Sequence, residues 1–215
     1  ANVLEVLKRE GVPEDMKYLA LVESNFTNAV SPMGAAGYWQ FLKETGQHHG
    51  LEVNAEVDER YNVEKSTEAA CRYLKNAYAK HGSWALAAAA YNLGSGGVDK
   101  QLGRQKKENY FDLLLPEETS RYVFRILAMK EIIRNPERYG FHLRQRDLYP
   151  PYKTRSLEVR GPIEDIAAFA SANGTDYKTV KLLNPWLREA KLSNREGRAY
   201  EILLPGTGFH DAMAE

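Results

Sequence analysis

Glu23 is the residue of most chemical interest in this chain. It lies in the stretch Tyr-Leu-Ala-Leu-Val-Glu-Ser-Asn-Phe, residues 18–26. Met16, Leu19, Ala20 and Glu23 are spaced i, i+3, i+4 and i+7, so they share one face of a helix. The carboxyl therefore falls among apolar neighbours in a last helical turn. Burial disfavours a charged carboxylate, and the partial negative charge of a helix C-terminus acts in the same direction. Both effects hold the proton on near neutral pH, as a general acid requires. A glutamate that merely emerges at a helix end, solvated or paired with an arginine, leaves the same signature, and most glutamates are surface residues.

Other stretches offer groups suited to a polar ligand. Residues 34–41, Gly-Ala-Ala-Gly-Tyr-Trp-Gln-Phe, set two glycines beside an aromatic pair and Gln40. Glycine lets a backbone approach a ligand closely, and a glutamine amide both donates and accepts, as sugar hydroxyls and acetamido groups require. A tight turn leading into an amphipathic helix is the structural alternative. Tyr91 and Asn92 end a nearly all-apolar helix beside a glycine-rich loop, where polar groups need partners. An asparagine closing a helix before Gly94 is the equally simple reading. Tyr122 shares a helix face with Arg125, Ile126 and Met129, and taken singly it reads as a core tyrosine. No second acid has a setting like that of Glu23: Glu44, Glu52, Glu56 and Asp58 all lie in polar stretches. His48 and His49 are adjacent in a polar loop without further ligands, so neither metal nor cofactor is expected.

The elements that must position these groups are mainly helical. Pro13 suits the first turn of a helix running to about Glu23. A helix capped by Asn62 and stopped by Gly82 keeps Ala70, Tyr73, Leu74 and Ala77 on one face. The run from Trp84 to Gly94, apolar all round, reads as a buried central helix. A long helix follows Pro116 and stops at Pro136. Residues 31–37 and 94–97 read as glycine-rich connections. Pro150 and Pro151 mark a linker. Beyond it, strand, helix, helix and strand form a small α+β module. Two domains follow, 1–149 and 150–215.

Composition narrows the function classes. The 215 residues carry 29 basic and 29 acidic side chains, a formal net charge of zero, which argues against a general nucleic-acid binder. Thirteen tyrosines and three tryptophans suit sugar or peptide surfaces, although tyrosine also fills cores. The single cysteine, Cys71, excludes an internal disulfide and leaves the compartment open. No apolar run reaches the roughly 18 residues of a membrane span.

Three ordered patterns bring these stretches together: ES.F....S..GA.G..Q from Glu23, AYN.G.G.V from Ala90, and ETS.YV..I.A from Glu118. Over about Val12 to Phe141 they resemble the goose-lysozyme-like SLT domain of family 1 lytic transglycosylases. The resemblance implies a mainly-α, lysozyme-like catalytic domain with Glu23 as sole catalytic acid. It implies that Ser31, Gly37, Gln40, Tyr91 and Asn92 line a saccharide cleft and that Tyr122 orients the glutamate. Ser24 matches the serine that follows the acid. Tyr38 and Trp39 replace the family's usual Leu-Met, which suggests a more aromatic cleft floor. The implied reaction cleaves the bond between N-acetylmuramic acid and N-acetylglucosamine in peptidoglycan without water, leaving 1,6-anhydro ends. A goose-type lysozyme that hydrolyses the same bond, and a non-catalytic glycan binder, are the alternatives. The resemblance further implies a monomer in the bacterial envelope, periplasmic, with any membrane anchor preceding Ala1. The C-terminal module resembles a LysM repeat through Leu-Leu-Asn-Pro-Trp-Leu and the closing strand. Gly-Pro-Ile-Glu-Asp stands where Gly-Asp-Thr-Leu is usual, so glycan binding and simple packing are both open for it.

Overall fold

The computed structural model describes residues 2–209. The chain divides into two compact units. One holds residues up to Leu51 and Val63–Phe141; the other holds Glu52–Asn62 and the residues from His142 onward.

The first unit is helical: α1 (Val3–Arg9), α2 (Lys17–Ser24), α3 (Lys43–His48), α4 (Val63–His81), α5 (Trp84–Leu93), α6 (Ser95–Gln105) and α7 (Glu117–Arg134). Helix α5 is its centre, with α4, α6 and α7 packed around it. Leu86 and the run Ala87–Ala90 are buried. Alanine combines the best helix propensity with a small side chain, so neighbouring helices approach this run closely. Helix α7 turns Thr119, Tyr122, Val123 and Ile126 inward, a stripe at helical spacing, and packs against α2. This contact brings the end of α2 to the first turns of α7.

The glycine-rich residues 94–97 are not a loop. Gly94 ends α5 with φ +82°, and Ser95, Gly96 and Gly97 already form the first turn of α6. A Cβ at Gly97 would stand 2.7 Å from Leu93 Cγ, so glycine serves close packing there rather than flexibility. The helix that carries Glu23 is also shorter than the sequence suggests. Pro13 precedes a 3-10 turn, Glu14–Met16, and α2 begins at Lys17.

The second unit pairs β1 (Thr154–Val159) antiparallel with β2 (Tyr200–Pro205), with α8 (Ile166–Ala172) and α9 (Tyr177–Leu183) between them. Asp165 and Asp176 cap the helices by accepting from Ala167 N and Thr179 N. Asn184, fully buried, donates to Leu203 O and accepts from Leu203 N, tying the end of α9 to β2. Residues 52–62 belong to this unit through specific bonds. Val57 bridges Leu187, and Glu56 O accepts from Arg188 N. The Glu56 carboxylate accepts from both Ser193 N and Ser193 Oγ at 2.7 Å. Glu52 accepts from Tyr200 Oη at 2.8 Å. Sequence reasoning includes this segment in 1–149, because its partners lie more than a hundred residues away and no local pattern points to them.

Candidate active site

Glu23 sits in the last turn of α2, and the helix ends at once because Asn25 takes the left-handed conformation, φ +52°. Phe26 follows at φ +54°, and Gln40 stands at φ +49°. Left-handed conformations outside glycine cost about 1–3 kcal/mol each and persist only where surrounding structure enforces them. Three of them flank this one region.

The Glu23 carboxyl is partly buried, and Tyr122 Oη donates a hydrogen bond to its Oε1. Burial pushes the Glu23 pKa up, and the nearby Glu118 carboxylate adds to the rise. The Tyr122 hydrogen bond and the Arg125 charge pull it down, less strongly. Burial, and then the Glu23 charge, hold the Tyr122 hydroxyl well above its ordinary range, so it stays a neutral donor. With Oε1 occupied by that donor, Oε2 is the oxygen left to carry a transferable proton.

The residues of the first pattern tie the end of α2 to the loop that follows it. Ser24 is buried, and its Oγ donates to Tyr38 O at 2.8 Å and to Ala20 O at 3.2 Å. It joins α2 to the following loop rather than facing outward. Ser31 shapes the loop itself: its Oγ accepts from Ala35 N, and its N–H donates to Ala35 O. Gly37, buried at φ +77°, donates to Ala29 O. Gln40 Nε2 donates to both Ala29 O and Gly37 O, at 2.9 and 2.8 Å. Its amide protons are thus spent on the loop, and Oε1, an acceptor, is the atom left for a ligand.

Trp39 does not contribute to a cleft floor. It is fully buried and donates from Nε1 to Thr67 Oγ1 on α4 at 2.9 Å. Tyr38 alone of the two keeps exposure, with its ring 5.8 Å from that of Phe26.

Tyr91 and Asn92 end α5. Tyr91 Oη donates to Trp39 O at 2.7 Å, and its ring meets Tyr73 at 5.0 Å and Phe41 at 5.8 Å. It braces the loop that carries Gln40. His49 lies in the same aromatic group, stacked on Phe41, with its carbonyl held by Arg72. The Asn92 amide is gripped from both ends by the first turn of α7. Thr119 Oγ1 donates to its Oδ1 at 2.8 Å, and its Nδ2 donates to Glu118 Oε1 at 3.2 Å.

A family model described as the transglycosylase SLT domain matches residues 4–114, half of the chain. The chain belongs to this family. A second model, the soluble lytic transglycosylase C-terminal LysM-like domain, matches residues 155–208. The membrane-bound lytic murein transglycosylase D of Escherichia coli K12 is 33% identical over 195 residues, 86% of this chain and 42% of that protein. A putative tributyltin chloride resistance protein of an Alteromonas species is 32% identical over 108 residues, 49% of this chain and 52% of that one. This chain therefore spans about half or less of the curated relatives it matches. Among solved structures, the X-ray structure of an inactive mutant of lytic transglycosylase Slt from Pseudomonas aeruginosa aligns with 68% of this chain and 25% of its own, at 20% identity and a TM-score of 0.47.

Sequence reasoning gives no role to two polar residues in the first turn of α7, Glu118 and Thr119. The Glu118 carboxylate is exposed, and its charge adds to the rise in the Glu23 pKa. Thr119 is buried beside it. The signal was available: Glu118 and Thr119 precede Tyr122 by four and three residues, on the same helical face. Three of the other acids, Glu52, Glu56 and Asp58, have structural duties. Glu52 and Glu56 hold the second unit together, and Asp58 pairs with Arg60.

Proposed function

We propose that this chain is the catalytic part of a peptidoglycan lytic transglycosylase, with Glu23 acting first as acid and then as base. The observation that carries the reading is the Glu23–Tyr122 pair: a partly buried carboxyl with a raised pKa, fixed at Oε1 by a neutral phenol. The protonated carboxyl donates from Oε2 to the glycosidic oxygen between N-acetylmuramic acid and N-acetylglucosamine. The C1–O bond breaks, and the acetamido oxygen of the muramoyl residue stabilises the cation that develops at C1. The Glu23 carboxylate, now stabilised by Tyr122 and Arg125, takes the proton from the muramoyl 6-hydroxyl as that oxygen bonds to C1. The product carries a 1,6-anhydro ring, no water is consumed, and Glu23 regains its proton.

Asn92 offers a donor suited to the acetamido carbonyl, and Gln40 Oε1 an acceptor for a sugar hydroxyl or amide. Ser24, Ser31, Gly37 and Tyr91 hold the cleft wall. Glycosidases with two reacting carboxylates are the usual alternative. Glu118, the second acid nearby, is exposed and engaged with Asn92, which favours one reacting acid. The site belongs to the bacterial envelope, where its substrate is, and the second unit is a LysM-like module. In this reading residues 1–149 are the catalytic domain and 150–215 the module, and residues 52–62 pack in the module's unit.

The direct test is Glu23→Gln. The amide matches the carboxyl in size and cannot deliver the proton. Release of soluble fragments from purified peptidoglycan should fall by at least a thousandfold while the chain stays folded. Near-normal release from that variant removes Glu23 as the acid.

A further inference from the structure

The Asn92 side chain is held simultaneously by two neighbours from the first turn of α7, and the chemistry of those neighbours decides how it is oriented. A carboxylate only accepts hydrogen bonds, so Glu118 Oε1 must face the amide Nδ2, at 3.2 Å. Turning the amide over would set its oxygen against that carboxylate. At the other end the Thr119 hydroxyl donates to Oδ1 at 2.8 Å. Thr119 is only 2% exposed, so its hydroxyl depends on this partner. The backbone of Thr119 is pinned in turn, because the buried Tyr110 donates to Thr119 O at 2.8 Å. Glu118 is exposed, so its grip alone is a loose one.

We propose that Thr119 is a positioning residue that fixes the Asn92 amide so that an N–H of Nδ2 meets an acceptor oxygen of an N-acetylhexosamine. The inference rests on the transglycosylase reading for the identity of the sugar, and on geometry alone for the orientation. One Nδ2 proton is committed to Glu118 and one Oδ1 lone pair to Thr119. The second proton of Nδ2 is the donor left over, and a carbonyl or ether oxygen is what it takes. Thr119 lies one helical turn before Tyr122 on the buried face of α7, and Tyr122 bonds Glu23, so this amide and the acid meet the same stretch of that helix.

Thr119→Val keeps the branched shape and removes the donor; Thr119→Ser keeps the donor. Each is compared with wild type in the full chain, alone and combined with Asn92→Ala. Turnover on purified peptidoglycan and the melting temperature are followed. Binding of the N-acetylglucosamine tetramer is read on the Asn92 side-chain amide resonance of the chains that retain Asn92. Thr119→Val should lower turnover and weaken tetramer binding by about three- to tenfold, the worth of one neutral hydrogen bond, with melting little changed. Thr119→Ser should recover most of the loss. In the Asn92→Ala background Thr119→Val should cost no further turnover, because the residue acts only through that amide. Full turnover in Thr119→Val, equal loss in the Ser and Val variants, or additive losses with Asn92→Ala would overturn the proposal. Wild-type chain that releases only reducing ends would instead overturn the transglycosylase reading, and the ratios between variants would still judge Thr119.

Discussion

Tyr122→Phe isolates one hydrogen bond at the centre of the site. Phenylalanine fills the same buried volume, so no cavity opens and α7 keeps its packing on α2. What is lost is the donor to Glu23 Oε1. A hydrogen bond to a charged acceptor is worth about 1.5–3 kcal/mol. That interaction is strongest when Glu23 is the carboxylate, in the step where it acts as base. Removing it should lower kcat by about tenfold to a hundredfold, since each 1.4 kcal/mol is a factor of ten. The sign of the pH effect is also fixed. The Tyr122 bond favours the charged form and so lowers a pKa that burial raises. Without it the Glu23 pKa climbs further, and the limb of the rate profile on which the acid ionises moves to higher pH. Fragment release from peptidoglycan, measured across pH, reads both effects. A limb that moves to lower pH, or a variant with the wild-type rate, would refute this account of the pair.

Glu118→Gln should move the same limb the opposite way, to lower pH, because it removes a charge that raises the Glu23 pKa, while the new amide oxygen still accepts from Asn92; complete loss of turnover at every pH would instead make Glu118 a reacting carboxylate. Glu23→Gln should raise the melting temperature more at neutral pH than at acid pH. The folded pKa of Glu23 lies above its unfolded value, so ionisation is a cost to the folded state that is absent below the unfolded pKa and grows as pH rises to the folded one; a variant that melts earlier than wild type at neutral pH would contradict this. Gly97→Ala places a methyl group 2.7 Å from Leu93 Cγ and should destabilise the chain by about 1–3 kcal/mol, read by denaturant unfolding; an unchanged or raised midpoint would mean that α5 and α6 are not as closely packed as described.

Much of the helical layout was legible in the sequence because it is written locally. Gly82, Gly94, Pro116 and Pro136 mark ends of α4, α5 and α7, Ser83 caps α5, and the apolar face of α2 places Glu23 among core residues. What was not legible depends on distant partners or on signals with two meanings. Glycine marks both loops and tight helix contacts, so local pattern alone does not distinguish a connection at residues 94–97 from the start of α6 packed on Leu93. Trp39 and Tyr38 are adjacent aromatics, and only the path of the loop sends the first to Thr67 and the core. The placement of residues 52–62 with the C-terminal strands rests on bonds such as Glu56 to Ser193, which no local pattern announces. Around Glu23, periodicity gave the apolar setting of the acid. The partner across the α2–α7 contact, Tyr122, entered only through resemblance, because a tyrosine on an apolar stripe looks the same whether or not a carboxyl waits opposite.

The central claim is that Glu23 delivers the proton and the sugar, not water, completes the reaction. Digesting purified peptidoglycan in water enriched in heavy oxygen, then weighing the released fragments, tests it most directly. The account predicts glycan ends lighter than reducing ends by one water and free of the label. Reducing ends carrying the heavy oxygen would show that water attacks C1, and would contradict it.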